Sequence, residues 1–259
     1  MSTVSPTRRA LLQLTVGLAA IGAVASTHAL DVDLFKGGEK VRGNGHVVVQ
    51  PRAASNFNGV AFSLPGKLDI KFGTAEGVTV ETDDNLQAYI ETVVENGVLK
   101  VRAARRNLNF STKSLKIVVN ARQIESISLA GSGDIAADSL RAPQLRVDLA
   151  GSGDIHLNGV DTDAMSVSLG GSGNVKAGGG RAERLKVSIA GSGDVVLGQL
   201  QSASASVSIA GSGDATVWVR NALDVSIAGS GDVNYYGAPS VNKSAIGSGS
   251  AKPLGAAPR

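Results

Sequence analysis

Residues 147–157 read Val-Asp-Leu-Ala-Gly-Ser-Gly-Asp-Ile-His-Leu, and the tetrapeptide Gly-Ser-Gly-Asp within this stretch decides the fold. The same tetrapeptide returns along the chain. The complete copies are Gly131–Asp134, Gly151–Asp154, Gly191–Asp194, Gly211–Asp214 and Gly229–Asp232, with variants at Gly171–Asn174 and Gly247–Ser250. Their starts are spaced by 20, 20, 20, 20, 18 and 18 residues. A short fixed period is typical of repeat proteins, in which each unit stacks on the next.

The residues around each copy alternate between apolar and polar. Ahead of the copy at 151–154, every second residue from Leu145 to Leu149 is apolar, and the alternation resumes at Ile155. A period of two is typical of a half-buried strand. If Leu149 points inward, the glycines of the copy point inward and its serine and aspartate point outward.

Inward glycines leave room for a sharp bend, so each copy is predicted to form a corner between two strands, followed by a loop. Such a unit cannot bury its apolar side alone and must stack on its neighbours. The sequence therefore predicts an all-β fold, a parallel β-solenoid (a single-stranded β-helix) with rungs of 18 to 20 residues. We expect it to be right-handed, and to be preceded by a β-rich block with one short helix that Asp83–Asn85 can cap.

Composition divides the chain into five segments. Residues 1–29 are predicted to be an export signal peptide, in which Arg8 and Arg9 precede a short apolar stretch and cleavage follows Ala29. Residues 30–45 form a lead-in and residues 46–128 a β-rich N-terminal block. The solenoid repeats occupy 129–250, and a flexible tail occupies 251–259. After removal of the signal peptide, no transmembrane segment is predicted.

The paired arginines leave two export routes open. Arg8 and Arg9 resemble a twin-arginine signal, and the alternative is an ordinary secretory signal in which two arginines happen to be adjacent. Either route predicts a protein located in the periplasm, on the cell surface or outside the cell.

Composition also bears on several classes of function. The net charge is +3, there is no basic run, and aromatic residues make up 3% of the chain, so nucleic-acid binding is not expected. The absence of cysteine excludes disulfides, thiolate metal sites and cysteine catalysis. His46 and His156 stand alone, so no catalytic or metal-binding arrangement, and no cofactor, is predicted.

The candidate binding face is the outward row of serines with aspartates or asparagine, which we call the corner row. Its members are Ser132, Asp134, Ser152, Asp154, Ser172, Asn174, Ser192, Asp194, Ser212, Asp214, Ser230 and Asp232. One interpretation is structural, with each aspartate accepting a hydrogen bond from a corner amide or a neighbouring serine. The other is a contact surface for a cation, a glycan or another protein.

The chain resembles a bacterial envelope family, the auto-transporter adhesin head GIN domain. The resemblance covers roughly residues 46–253. It rests on the serial Gly-Ser-Gly-Asp copies and on short stretches outside them: Asn58–Val60, the strand pair ending at Phe72, Val80–Leu86, Ile90–Thr92, Gly97–Leu99, Ile124–Ile127, Tyr235–Gly237 and Val241–Ser244. It implies a β-helix-like fold on an exported protein, and it supplies no catalytic residues.

These observations predict a non-enzymatic exported envelope protein, adhesin-like or structural, that presents the corner row to an envelope, matrix or glycan partner. The alternative is a carbohydrate-binding or carbohydrate-active β-helix protein, because some polysaccharide lyases use larger parallel β-helices. A lyase needs a cluster of unlike residues that would interrupt the repeat, and the repeats are uniform.

Overall fold

The computed structural model describes residues 39–258. The predicted signal peptide with its cleavage site at Ala29, and residues 30–38 of the lead-in, lie outside this range. Strands dominate the described chain. The first half contains β1 (Glu39–Arg42), β2 (Val47–Arg52), β3 (Gly59–Phe62), β4 (Lys67–Phe72), β5 (Gly77–Asp83), a 3₁₀ helix (Asp84–Tyr89), β6 (Ile90–Glu95), β7 (Val98–Ala103), β8 (Leu108–Ser111), β9 (Leu115–Ala121), β10 (Ser126–Gly131) and β11 (Asp134–Ala137).

The second half carries the remaining strands. They are β12 (Leu140–Gly151), β13 (Asp154–Leu157), β14 (Val160–Gly171), β15 (Asn174–Ala177), β16 (Gly180–Gly191), β17 (Val195–Gly211), β18 (Ala215–Gly229), β19 (Val233–Tyr236), β20 (Ser240–Gly247) and β21 (Ala251–Gly255).

Parallel pairing between successive repeats builds the column. Leu145 of β12 lies opposite Met165 of β14, which lies opposite Leu185 of β16, which in turn lies opposite Ala205 of β17. Equivalent positions of neighbouring repeats are therefore register partners. The result is a β-solenoid of about six turns, which confirms the predicted fold class.

Each rung has three extended sides, where the sequence predicted two strands and a loop. Burial alternates along β13 and β14, and the alternation shifts between Leu157 and Val160 and again between Thr162 and Met165. These two shifts and the glycine corner separate a first side (154–157), a second side (160–162) and a third side (165–170). Equivalent residues of the other rungs belong to the same sides. The predicted loop is wrong, because its residues pair with neighbouring rungs.

The two shorter repeats lose their residues between the first and second sides. Leu197 of β17 pairs with Val217, but Gln201 pairs with Trp218, so the register shifts between these two pairs. That shift removes three residues, and a second shift between the pairs Ser202–Val219 and Ser204–Ala222 returns one, so the repeat is two residues shorter and the glycine corners stay aligned. The shortening is therefore absorbed away from the corner row.

The N-terminal block supplies the first rungs of the column. β3 pairs in parallel with both β10 and β7, and β4 pairs in parallel with both β11 and β9. β5 then pairs antiparallel with β2 and β9, and β6 pairs antiparallel with β7. This antiparallel layer lies beyond the parallel rungs at that end, which protects their edges from pairing with other chains.

The predicted helix is present as a 3₁₀ helix, and its predicted cap is not formed. Asp83 makes no capping hydrogen bond. Its buried carboxylate instead accepts hydrogen bonds from the Gly45 backbone N–H (2.6 Å) and from Thr112 Oγ1 (2.5 Å). Asp83 therefore joins three segments of the N-terminal block.

The last rung consists of β20 and β21, and residues 251–255 are therefore not the flexible tail that was predicted. β21 pairs with β19, placing Ala251 opposite Val233. All of β20 is exposed. Lys243 occupies the inward register position opposite Val225, and Pro253 lies in β21. An inward-facing charge and a proline on terminal strands are features that discourage pairing with another chain.

Candidate binding surface

The glycine corner is held by hydrogen bonds to the rung before it. The carbonyl oxygen of Gly131 accepts hydrogen bonds from the backbone N–H groups of Ser152 (2.9 Å) and Gly153 (3.2 Å). The corresponding bonds recur at the later copies. Gly151 has a φ of +138°, a conformation open to glycine because it lacks Cβ. The bend leaves the Ser152 side chain exposed.

Each aspartate of the corner row accepts a hydrogen bond from the next rung. Oδ1 of Asp154 accepts the N–H of Asn174 (3.0 Å), Oδ1 of Asp194 accepts that of Asp214 (2.9 Å), and Oδ1 of Asp214 accepts that of Asp232 (2.7 Å). The Asp134 and Asp232 carboxylates accept the equivalent N–H groups in the same way. This confirms the structural interpretation, because a corner amide finds its acceptor in the carboxylate below it.

Asn174 interrupts both the charge and the hydrogen-bond pattern of the row. In the described chain, no bond joins its side chain to the N–H of Asp194. Its Nδ2 instead donates to Oδ1 of Asp154 (2.8 Å). In-register carboxylates ~4.8 Å apart repel by ~1 kcal/mol in water, so an amide between two acids lowers that repulsion.

Asp232 ends the row and is the most strongly stabilised acid in it. Lys252 Nζ lies 2.6 Å from its Oδ2, and the Ser250 hydroxyl and backbone N–H both donate to its Oδ1 at 2.8 Å. These contacts, the one with Lys252 foremost, lower the pKa of Asp232 from 3.8 to about 2. Because the folded-state pKa is lowered, the stability it contributes is present above about pH 4 and is lost as the pH falls through 2.

We expect Lys252→Met to raise the pKa of Asp232 toward 3.8, because the largest stabilising contact is removed. Carboxyl-detected NMR titration measures this shift. As the pH is lowered, the amides of β21 should lose their protection from exchange at a higher pH in the variant than in the wild type. An unchanged pKa of Asp232 would show that Lys252 does not stabilise its carboxylate. Lys176→Met is the control, because Lys176 lies in β15 and the lysine that contacts Asp232 is Lys252.

A groove on the third side was missed by the sequence analysis. It has a volume of about 850 Å³, and we call it the third-side groove. Its floor consists mostly of outward-facing small residues, with Ala150, Gly170 and Ala190 in one row and Asp148, Ser168 and Ser188 in another. The signal was available in the sequence as small residues at successive outward positions. The groove lies directly before the corner row along the chain.

Basic residues of β7 lie at the N-terminal end of this groove. Lys100 Nζ lies 2.5 Å from Glu95 Oε2, and Arg102 contacts both Glu91 (2.7 Å) and Glu95 (3.1 Å). The hydrogen bonds of Lys100 and Arg102 lower the pKa of Glu95, and Glu91 in turn raises the pKa of Arg102. The floor therefore has one row of alanine and glycine beside one row of serine and aspartate, and the groove holds neutralised ion pairs at one end.

His46 and His156 lie in different parts of the fold, and His156 follows Asp154 of the corner row by two residues on β13. His46 Nδ1 lies 3.4 Å from Asp84 Oδ2 in the N-terminal block, and His156 is exposed in β13. Within residues 39–258, no group of three or more His, Cys, Asp or Glu side chains could hold a metal ion. In the same range, no helix is long and apolar enough to cross a membrane.

Comparisons with known proteins give a family and several related folds. Residues 56–239 match the family described as "Putative auto-transporter adhesin, head GIN domain". A putative adhesin from Bacteroides fragilis is 21% identical, with a TM-score of 0.75 over 83% of this chain and 100% of that one. A putative lipid binding protein from Parabacteroides distasonis is 24% identical, with a TM-score of 0.69 and the same coverage. The search of curated proteins finds no match.

Proposed function

The chain belongs to the auto-transporter adhesin head GIN domain family, and from this premise we propose that it is an exported, non-enzymatic, adhesin-like protein whose corner row is a repetitive contact surface. Export is supported by the charged and apolar residues at 1–29 and by the family itself. The periplasm and the cell surface both fit this proposal. The partner we propose is an envelope, matrix or glycan component with a repeating structure.

The observation that best supports this role for the corner row is its regular repetition. The row repeats an outward hydroxyl beside a carboxylate, with the Asn174 amide in one rung, at a rung spacing of ~4.8 Å on a scaffold held by continuous parallel pairing. Oδ1 of each aspartate accepts a backbone N–H from the next rung, which holds the carboxylate at its corner. A repetitive partner can then make many weak contacts at once, and these contacts add.

The third-side groove supports a second candidate, the binding of an apolar ligand. Its floor presents alanine methyl groups and contacts the edges of Leu149 and Ile189. A structural relative bears the description "Putative lipid binding protein". An extended acyl chain fits along the row of Ala150, Gly170 and Ala190, because burying apolar surface is favourable, while the adjacent row with Asp148 and the serines stays polar.

We expect one substitution in the corner row to have little effect and five to abolish attachment. Asp194→Asn alone should leave attachment to cells or matrix within about twofold of wild type, because a multivalent contact loses one of many sites. The five-fold replacement removes the charge of every aspartate in the row. Its positions are Asp134, Asp154, Asp194, Asp214 and Asp232. Charge-dependent attachment should then be lost, as measured by a surface-attachment assay.

The five-fold variant should still fold. Asn174 already occupies the row in a folded rung, where its Nδ2 donates to the rung below, which is how stacked asparagines form a ladder. Circular dichroism and a thermal melt are the folding controls. Equal attachment by a folded five-fold variant would refute the role of the corner row and would favour the third-side groove as the binding surface.

A further inference from the structure

A notch of about 530 Å³ lies at the start of the third side, next to the corner between the second and third sides. We propose that this basic notch binds an acidic sugar residue through its carboxylate. The site is distinct from the corner row and from the third-side groove. The proposal rests on the shape of the notch, on two cations without partners in the described chain, and on the polar groups around them.

The shape comes from small residues in one rung between long residues in its neighbours. Ala164 lies between Gln144 and Arg184 in register. Ser166 likewise lies between Arg146 and Lys186 in the adjacent register row. The two outer rungs are two strand spacings apart, about 10 Å. The short side chains of the middle rung therefore leave a gap with long side chains on both sides.

The charge comes from Arg184 and Lys186, which are exposed and make no ion pair or side-chain hydrogen bond within residues 39–258. Other basic residues on this part of the column are engaged. Arg141 Nη2 lies 2.5 Å from Asp161, and Arg146 Nε donates to Asp148 Oδ2 (2.7 Å). Two cations two residues apart on one strand point to the same side, so an oxyanion can contact both at once.

The opposite end of the notch is acidic. Glu125 lies three rungs from the level of Leu185, about 14 Å away. Its carboxylate accepts hydrogen bonds from Asn58 Nδ2 (3.1 Å) and Gln123 Nε2 (3.0 Å). A carboxylate is also a good acceptor for a sugar hydroxyl. The notch thus offers cations for a carboxylate at one end and acceptors for hydroxyl groups at the other.

This arrangement favours an acidic sugar over a nucleic acid. No aromatic side chain lines the notch in the described chain, so it has no surface on which bases could stack. Its length spans only a few rungs, and its two free cations suit one anionic group better than a row of phosphates. Gln144 and Ser166 add neutral groups that can hydrogen-bond to ring hydroxyls.

The test measures binding of a galacturonic acid trimer by titration calorimetry, with its methyl ester as the uncharged probe. We expect the acid to bind and its methyl ester to bind at least about tenfold more weakly, because the carboxylate contacts are lost. Arg184→Gln with Lys186→Gln should weaken binding of the acid by a similar factor. Ala164→Gln should also weaken it, since it fills the gap with the residue found one rung below and leaves the charge unchanged.

Lys71→Gln with Lys176→Gln is the matched control, since it removes two exposed charges that lie outside the notch. This variant should bind the acid as wild type does, and so should the five-fold aspartate variant. Three outcomes would overturn the proposal. They are unchanged binding by the Arg184/Lys186 variant, equal binding of acid and methyl ester, and tighter binding of an oligonucleotide of the same charge.

Discussion

Val187→Asp is expected to lower the free energy of unfolding by about 4 kcal/mol, because it places a carboxylate inside the column with no partner. Val187 is completely buried. Its register partners above and below are Val167 and Val207, so the new charge would be enclosed by valines. A loss of this size is a large part of the stability of an ordinary domain. Thermal and denaturant melts measure it.

Lys186→Asp is the matched control one residue earlier. Lys186 is exposed, so this substitution should cost about 0.5 kcal/mol or less. If the melts ranked the two variants in the opposite order, the inward face of β16 would have been assigned to the wrong residues. Hydrogen exchange adds a second measurement, since solenoid repeats contact only their neighbours and the damage should begin in the rungs next to Val187.

The column could be predicted from sequence because its period and its alternation are both visible in the residues. Leu145, Met165 and Leu185 recur at the same place in each repeat and are all buried. A period of two fixes which face is inward, and a fixed repeat length fixes which residues become register partners. The fold class therefore follows from two patterns that agree with each other.

The second side could not be predicted in this way because it is short and one of its two inward positions is small or polar. Ala142, Thr162 and Ser202 are buried at equivalent positions, yet they do not read as an apolar alternation. The hydroxyl groups of Thr162 and Ser202 each have a backbone acceptor. Thr162 Oγ1 donates to the Pro143 carbonyl (3.2 Å), and Ser202 Oγ donates to the Trp218 carbonyl (2.9 Å). In the sequence, Thr162 and Ser202 are polar residues typical of a loop. Only the structure shows that each hydroxyl is buried and has a backbone acceptor.

The terminal strand was missed for a related reason. Pro253 and Gly255 are residues that commonly interrupt strands, and they led to the prediction of a flexible tail. β21 lies at the end of the column, where a strand has a neighbour on one side only. Proline is tolerated there because its missing N–H can face solvent. The sequence shows that residue 253 is a proline, but only its position in a terminal strand shows that a strand tolerates it there.

In the candidate site, the alternation of apolar and polar residues predicts that the corner row points outward. It does not predict which hydrogen bonds the row makes. The direction of a donor depends on the side-chain rotamer, as the reversed bond from Asn174 to Asp154 illustrates. The basic notch was also beyond reach of the sequence. It arises from Ala164 and Ser166 lying between longer residues that are 20 positions away on either side, which matters only once the rungs are in register.

Gly171→Ala is expected to destabilise the protein by about 3 kcal/mol or more, because the glycine corner leaves no space for a methyl group. Gly171 has a φ of +126°, which an alanine adopts only with strain of about 1–3 kcal/mol. The added Cβ would also overlap the carbonyl oxygen of Gly151, which accepts the N–H groups of Ser172 and Gly173. Relieving the overlap would move the backbone that holds the corner together.

Gly170→Ala, one residue earlier, supplies the control. Gly170 is exposed, and a Cβ there would have the Leu149 carbonyl oxygen as its nearest neighbour at 3.9 Å. Its register partners are Ala150 and Ala190, so alanine already fits this position in the adjacent rungs. This variant should gain about 0.5 kcal/mol, since alanine has less chain entropy to lose on folding. Equal melting temperatures for Gly170→Ala and Gly171→Ala would show that the corner does not require glycine, and the repeated tetrapeptide would then need another explanation.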